Sequence, residues 1–184
     1  MLHSHNSYSD DHYAFFITSS VVEWLPIFGI EPYRRIIVDS LAYVREHKRT
    51  ELNGYVIMPT HIHAILWPER GMRIGDVLRD FKRFTSRAIS RLAEDRGDAE
   101  YLAAFVRVRQ AGRALERSTY QVWQDGSHPE AVFTAGFARQ KLQYVHNNPV
   151  KAGLVKTAVE WPHSSARNYL MGDASILQVD LMAV

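Results

Sequence analysis

The sequence contains no cysteine among its 184 residues, which excludes a disulfide scaffold and thiolate metal ligands. No apolar run approaches about 18 residues, the length at which a membrane-spanning helix is expected. The first residues, MLHSHNSYSDDHY, do not follow the basic and then apolar order of a signal peptide. Internal repeats and low-complexity segments are also lacking. These absences predict a cytoplasmic globular protein without membrane attachment.

The sequence also carries little net charge. It has 22 Lys and Arg residues against 20 Asp and Glu residues, a formal charge of +2. An affinity for nucleic acid must therefore arise from where the charges lie and not from their sum. The length and a hydrophobic content of 46% suffice for one domain with a buried core. We expect a disordered N-terminus at 1–12, one domain over 13–158 and a C-terminal extension at 159–184.

The pattern of apolar residues predicts the element order strand, helix, strand, strand, helix, strand. This order is typical of an α+β fold in which a ferredoxin-like antiparallel sheet carries helices on one face. The predicted strands are 13–18, 52–57, 61–67 and 118–124, and the predicted helices are one that follows Pro32 and one at 73–93.

The remaining segments have weaker patterns. Residues 94–118 lack periodicity and are expected to form a loop with at most a short helix. A third helix is predicted over 130–147, because Pro149 biases Asn148 away from helical geometry and so ends the helix there. Residues 176–184 form an apolar tail that we expect to pack back as an edge element.

Two histidines lie on either side of Ile62 in the third predicted strand. Side chains two apart on a strand point the same way, so His61 and His63 present two imidazoles side by side. Such a pair is a good start to a metal site. The pair alone does not decide between a metal site and a pair without function, because two histidines on a half-exposed strand face often have no function. A second such pair, His3 and His5, is discounted because no apolar run brackets it.

Basic residues recur every four positions along the helix at 73–93. Between 79 and 91 there are five basic residues and one acidic residue, Asp80. A basic helical stripe is what a phosphate backbone requires. On pattern alone, however, a merely solvated charged face is the more common interpretation. The basic residues are Arg79, Lys82, Arg83, Arg87 and Arg91.

Tyr144 and Asn148 lie four positions apart, so they share a face of the third helix if its last turn holds. Nothing in the periodicity distinguishes Tyr144 among the nine tyrosines of the chain. A tyrosine on an amphipathic helix is usually a core residue with its hydroxyl at the rim.

Three segments, taken in this order and spacing, favour a functional role for Tyr144 over a core role: GYVIMPTHIHAILWP, QKLQYVHNNPVKAGLV and EWPHSSARNYL. Together they resemble the REP-associated tyrosine transposases, which belong to the HUH superfamily of single-strand DNA endonucleases. The resemblance covers about residues 13–171. It implies that His61 and His63 are metal ligands and that Tyr144 is the nucleophile. Asn148 matches the position of a third ligand, where relatives in the wider superfamily have the longer glutamine, so its direct ligation stays open.

The resemblance implies a metal-dependent single-stranded DNA endonuclease and strand transferase that acts at or near hairpins. Attack by Tyr144 would form a 5′-phosphotyrosine intermediate and release a 3′-hydroxyl. The implied cofactor is Mg²⁺ or Mn²⁺, and imidazole ligands favour Mn²⁺. The implied partner is single-stranded or hairpin DNA, such as a REP-like palindrome, bound by a monomer or a homodimer. The candidate DNA-binding residues are Arg79, Lys82, Arg83, Arg87 and Lys141.

Several further expectations accompany this hypothesis. Activity should fall as the pH drops through about 6.5, because the histidines must be neutral to bind metal. Trp161, Ser164 and Ser165 match a family signature, but packing and a helix cap explain them equally well. His128 and His146 are expected to be surface residues or to lie behind the ligands.

Two alternatives remain beside the endonuclease. The first is a non-catalytic regulator that binds hairpin DNA on the same fold. The second is a zinc hydrolase of small molecules, which would need a third strong ligand and a base that the sequence does not offer.

Overall fold

The computed structural model describes residues 12–111, 119–126 and 128–183. Its centre is a four-stranded antiparallel sheet with helices packed on it. The strands are β1 Ala14–Ser20, β2 Thr50–Ile57, β3 His61–Pro68 and β4 Glu130–Val132. The helices are α1 Glu31–His47, α2 Ile74–Arg96, α3 Ala99–Ala111, α4 Ala135–Lys151 and α5 Ala166–Met171. The spatial order β2-β3-β1-β4 is that of a ferredoxin-like sheet, so the predicted class is confirmed.

The two faces of the sheet carry different layers, because successive strand side chains point to opposite sides. Helices α1 and α2 share one core cluster with Ile62 and Leu66 of β3. Helix α4 packs on the other face, where Leu142 and Val145 cluster with Ile65. The first two helices thus cover one face as predicted, and α4 adds a layer on the opposite face. That opposite face is the one to which His61 and His63 belong.

Gly54 marks a close approach of α4 to the sheet. A Cβ atom at this position would lie 2.9 Å from Cδ1 of Leu142 and 3.5 Å from Cδ1 of Ile65. Because only glycine leaves that space free, β2 can receive α4 at this point.

The strand predicted at 118–124 is wrong over the part that the structure describes. Residues 119–124 form no strand, and only Trp123 makes an isolated bridge, to Val21. Val122 and Trp123 are apolar because they fill the core, where Trp123 Nε1 donates a 2.9 Å hydrogen bond to Thr85 Oγ1. The fourth strand is β4, which lies in the segment predicted to begin the third helix. That helix therefore begins at Ala135.

The predicted end of this helix at Asn148 is also wrong, because α4 continues through Pro149 to Lys151. Proline in the last turn removes a single intrahelical donor, and the burial of Pro149 against the core offsets that loss. The carbonyl oxygens of Asn148 and Pro149 accept from the N–H groups of Ala152 and Leu154, which closes the helix end.

Of the segment predicted as a loop at 94–118, the described part, 94–111, is mostly helical. Helix α2 ends at Arg96 and is capped by Gly97, which has a left-handed φ of 70°, and α3 then runs to Ala111. Residues 112–118 lie outside the described residues, as do 1–11, with His3 and His5, and positions 127 and 184.

The C-terminal part lines the outer edge of β2. Val56 forms an isolated bridge with Ser164, and the N–H of Asp180 donates to the carbonyl of Leu52 at 2.8 Å. Leu177 and Val179 are buried, so the apolar tail does pack back against the sheet, although as irregular chain and not as a strand. Among the described helices, none combines the length and apolar character needed to cross a membrane.

Candidate active site

The two histidines of β3 face the layer that contains α4. Their ring centroids lie 4.8 Å apart and the ring planes meet at 74°. His63 is 4% exposed, whereas His61 is half-buried and lies nearer to solvent. The predicted pair of neighbouring imidazoles is therefore present on a rigid strand in the middle of the sheet.

Each imidazole is oriented by a threonine hydroxyl. Thr18 Oγ1 lies 2.8 Å from Nδ1 of His63, and Thr60 Oγ1 lies 2.9 Å from Nδ1 of His61. Thr18 stands directly opposite His63 in the pairing of β1 with β3. With Nδ1 engaged, Nε2 of each ring is the nitrogen left to ligate a metal, and such outer hydrogen bonds are a regular feature of histidine ligands.

Burial keeps both imidazoles neutral. It lowers the pKa of His61, against a smaller opposing effect from a side-chain hydrogen bond with Asn148. Burial lowers the pKa of His63 to about 3, with further contributions from His61 and the Lys141 ammonium. A neutral ring is the form that binds metal, so the residues fit a divalent ion. An activity that needs both rings neutral would therefore be lost at a lower pH than the 6.5 expected from the sequence.

Tyr144 reaches this pair from α4. Its ring centroid lies 5.2 Å from that of His63 at an interplanar angle of 71°, and 5.7 Å from that of Phe16 at 85°. The side chain is 39% exposed, so one side of it is open to solvent. The structure thus brings together a tyrosine and two histidines that are 81 or more positions apart in the chain.

Asn148 joins the same group because α4 holds its helical form to Lys151. Its side chain lies close enough to His61 to oppose the lowering of that imidazole's pKa, while Tyr144 one turn earlier contacts His63. Among the described residues, no three His, Cys, Asp or Glu side chains are placed to hold a metal ion. A metal at this site would accordingly have two imidazoles and one amide as protein ligands, and water or phosphate oxygens would complete its coordination.

Two lysines of α4 flank the tyrosine. Lys151 Nζ lies 5.6 Å from the centroid of the Tyr144 ring. Lys141 Nζ lies over the Phe16 ring at 4.5 Å and forms a 2.5 Å ion pair with Glu130. Lys151 was not a sequence candidate, although a basic residue seven positions after Tyr144 on the same helix is a signal that sequence reasoning could have used.

The predicted DNA-binding residues of α2 lie on the opposite side of the sheet from the histidines. Arg79 pairs with Asp76 at 2.7 Å, and Lys82 donates to the carbonyl of Gly126 at 3.3 Å. Arg83 and Arg87 are exposed and form no ion pair with any residue that the structure describes. These two arginines remain the available cations of the predicted stripe.

The third motif has a packing role. Trp161 Nε1 donates to the carbonyl of Ile57 at 3.1 Å, and Ser164 Oγ accepts from the N–H of Ala166 at 3.2 Å. Ser165 Oγ lies 3.0 Å from Nε2 of His146 and also binds the backbone of β2. His146 is 8% exposed, and its burial lowers its pKa to about 4. The expectation that His146 lies at the surface or behind a ligand is wrong, because it packs α4 against the C-terminal segment.

Three residues of the site were not found by sequence reasoning. They are Thr18 and Thr60, which orient the histidines, and Trp24, whose ring centroid lies 6.0 Å from that of His61. Thr60 adjoins His61 in the chain and could have been suspected. The place of Thr18 depends on strand register, and that of Trp24 on a turn after β1.

Comparison with known proteins agrees with this fold. No family model and no curated protein matches the chain. Among solved structures, a REP-associated tyrosine transposase bound to a REP hairpin matches with a TM-score of 0.59 and 19% identity. The match covers 98% of this chain and 91% of that chain. The fold expected from the sequence resemblance is therefore confirmed.

A second solved structure, from Deinococcus radiodurans R1, belongs to a protein provisionally described as a transposase. It matches with a TM-score of 0.49 and 14% identity, over 74% of this chain and 90% of that one. A likeness this weak carries no argument about the fold or the function.

Proposed function

We propose that this protein is a REP-associated tyrosine transposase, a metal-dependent endonuclease and strand transferase that acts on single-stranded DNA at or near hairpins. The observation that carries this proposal is the contact between Tyr144 and His63, with ring centroids 5.2 Å apart across the interface of α4 and the sheet. A nucleophile beside a neutral imidazole pair is what a metal-assisted transesterification requires.

The positions of the side chains support the following roles. His61 and His63 would hold a divalent ion through Nε2 and Asn148 would complete the protein ligands, while Thr18 and Thr60 keep the rings in orientation. When bound, the ion would neutralise charge at the scissile phosphate. Tyr144 Oη attacks the phosphorus, so that a Tyr–O–P bond forms while the P–O3′ bond breaks. The phenolic proton passes to solvent, and the departing oxygen takes up a proton to become the 3′-hydroxyl.

Strand transfer is the reverse of this step with another strand. The aryl phosphate ester conserves the energy of the cleaved linkage, so a free 3′-hydroxyl can displace Tyr144 without a nucleotide cofactor. Lys151 beside the Tyr144 ring supplies a positive charge that suits a phosphodiester, whereas the charge of Lys141 is balanced by Glu130. Mn²⁺ is the favoured ion because the ligand set contains two imidazoles, and Mg²⁺ remains compatible with it.

A REP-like palindrome is the proposed substrate. The similar solved structure, a REP-associated tyrosine transposase bound to a REP hairpin, supports this choice. Arg83 and Arg87 are the proposed backbone contacts on α2, because they are exposed and unpaired within the described part of the chain. Since α2 packs on the sheet face opposite to Tyr144, a hairpin that touches both must reach around the edge of the sheet.

An adduct assay tests the proposal. The protein is incubated with Mn²⁺ and a panel of hairpins that carry single-stranded flanks, labelled at the 3′ end because that fragment would remain on the tyrosine. We expect a labelled, SDS-resistant adduct, and its loss in Tyr144→Phe. The matched control is Tyr43→Phe, since Tyr43 is exposed on α1, which packs on the sheet face opposite to His61 and His63. An adduct that persists in Tyr144→Phe would falsify the assignment.

The same assay tests each proposed metal ligand in turn. Adduct yield should fall in His61→Ala and His63→Ala and on addition of EDTA, because neutralisation of the phosphate charge is then lost. Asn148→Ala should lower the yield at limiting Mn²⁺ more than at saturating Mn²⁺ if the amide ligates. An equal loss at both concentrations would instead indicate that Asn148 only positions His61.

The non-catalytic hairpin-binding regulator remains the second candidate. The observation that favours it is the limited ligand set, which among the described residues has no third His, Cys, Asp or Glu beside the histidine pair. It predicts hairpin binding that is unchanged in His61→Ala and His63→Ala, together with no adduct under any metal condition.

A further inference from the structure

An exposed indole stands next to the candidate active site and has no part in the chemistry described above. The Trp24 side chain follows the end of β1 and is 56% exposed. Its ring centroid lies 6.0 Å from that of His61, with the two ring planes at 81°. A large aromatic side chain beside a site for a phosphodiester is a surface on which a nucleobase can stack.

The backbone that presents this indole is in an unfavourable conformation. Glu23 has φ 52° and ψ 18°, and Trp24 has φ 54°, so two consecutive non-glycine residues are left-handed. Side chains with a Cβ atom rarely adopt this region, and such residues cluster at functional sites. The only other left-handed residue of this kind in the described chain is Arg49.

Neighbouring elements hold the turn in place. The N–H of Trp24 donates to the carbonyl of Val21 at 3.1 Å, and the N–H of Val21 donates to the carbonyl of Thr60 at 2.9 Å. The Arg107 guanidinium of α3 donates two hydrogen bonds to the Glu23 carboxylate, at 2.9 Å and 2.5 Å. This ion pair also neutralises the carboxylate of the residue that precedes Trp24 in the chain, which would otherwise repel an approaching phosphate.

We propose that Trp24 is a stacking surface for an unpaired nucleobase of single-stranded DNA next to the scissile phosphate. This inference rests on the proposed function, because it takes the phosphate to lie at His61 and His63. Stacking on an indole is tolerant of sequence, since every base has a flat face, and it orients the strand without reading it. Trp24 is therefore a positioning residue. Glu23 and Arg107 hold the turn that keeps its indole exposed to solvent.

Binding measurements in the Tyr144→Phe background test the proposal without cleavage. The probes are a fluorescein-labelled dT15 strand and a strand of the same length made of abasic sugar phosphates. We expect Trp24→Gly to weaken dT15 binding by about five- to one-hundredfold, which is the range of one base stacked on an aromatic ring. The abasic strand should bind the parent and Trp24→Gly within about twofold of each other, because it has no base to lose.

Glycine is the informative substitution because it accepts the left-handed backbone. Trp24→Gly should therefore keep or raise Tm while it loses affinity, a combination that a purely structural role would not give. Trp24→Phe should retain dT15 affinity within about threefold, and Tyr43→Ala, at an exposed aromatic on α1, should change nothing.

Three results would overturn the stacking role. They are equal dT15 affinity in the parent and Trp24→Gly, equal losses on both strands, and no dT15 binding by the parent up to about 100 µM, the weak end of non-specific binding. The test is independent of the adduct assay. A base-dependent loss without any tyrosyl adduct would retain Trp24 as a stacking residue and reject cleavage, and an adduct with no base-dependent loss would do the reverse.

Discussion

At the scale of single residues, the candidate ligands depend on hydroxyl groups that no metal-binding pattern includes. His63 lies within a sheet, and Thr18 on the adjacent strand meets its Nδ1 atom at 2.8 Å. A ring held at Nδ1 presents Nε2 in one direction. Less side-chain entropy is therefore lost when a metal binds. The exposed position of Thr18 means that its hydroxyl contributes mainly to the site and little to the core.

We expect Thr18→Val to weaken Mn²⁺ binding by about 10- to 100-fold, because it removes the hydrogen bond that orients His63 and keeps a β-branched side chain in β1. Titration calorimetry or electron paramagnetic resonance of Mn²⁺ measures the change. Thr18→Ser is the matched control, since it retains the hydroxyl and should stay within about threefold of the parent. Equal affinity in the valine and serine variants would contradict the orienting role.

At the scale of elements, the site exists because α4 lies close against β2 and β3. Thr134 caps the start of this helix by accepting from the N–H of Phe137 at 3.1 Å, and the buried Pro149 lies near its end. Between them, Gly54 of β2 removes the side chain that would otherwise hold the helix away. The distance between Tyr144 and His63 is therefore set by the packing of a helix and not by either residue alone.

Gly54→Ala tests this docking directly. Its Cβ would meet Leu142 Cδ1 at 2.9 Å, and Leu142 is buried, so we expect a loss of about 1 kcal/mol or somewhat more in the free energy of unfolding. Chemical denaturation measures it. Adduct formation should also fall, because a displaced α4 moves Tyr144 away from the histidines.

The matched control is Gly136→Ala, in the first turn of the same helix, where an added Cβ meets nothing within 4 Å. Alanine is a better helix former than glycine, so this variant should be as stable as the parent or up to about 1 kcal/mol more stable. Unchanged stability in Gly54→Ala would show that the helix has room to move there.

At the scale of the whole molecule, buried histidines make folding sensitive to acid. Burial lowers the pKa of His63 to about 3 and that of His146 to about 4, while both rings take up protons near 6.5 in the unfolded chain. The unfolded state then binds more protons than the folded state at mildly acidic pH. Stability is consequently full above about pH 6.5 and is lost as the pH falls toward 4.

We expect each of these two histidines to cost about 1.4 kcal/mol of stability at about pH 5.5, one unit below the unfolded value. A series of Tm values between about pH 7 and pH 5 should show the decline. His146→Gln should flatten it, because the amide can still reach Ser165 and carries no titrating proton. His47→Gln, at an exposed position of α1, is the matched control for the loss of one imidazole. A slope unaffected by His146→Gln would contradict the assignment.

Much of this organisation could be predicted from the sequence. Strand alternation predicted that His61 and His63 share a face, and helical spacing predicted that Tyr144 and Asn148 do the same. Both are local periodicities, so residues a few positions apart determine them. The same periodicity misled at 119–124, where Val122 and Trp123 are apolar because they fill the core from an irregular segment. A local apolar pattern indicates that a segment is buried, but it does not distinguish a buried strand from a buried loop.

The sequence by itself thus determined the fold class, the histidine pair, the helical pair and the absence of thiolate ligands. Only the tertiary structure decided that α4 crosses to the histidine face and stays helical through Pro149, so that Asn148 meets His61. It also decided that Thr18 lies opposite His63, that Trp24 stands beside His61 and that the basic stripe of α2 lies on the other side of the sheet. The physical reason is that these relations depend on which faces are buried together. That choice is made by packing between elements far apart in the chain, and no local spacing encodes it.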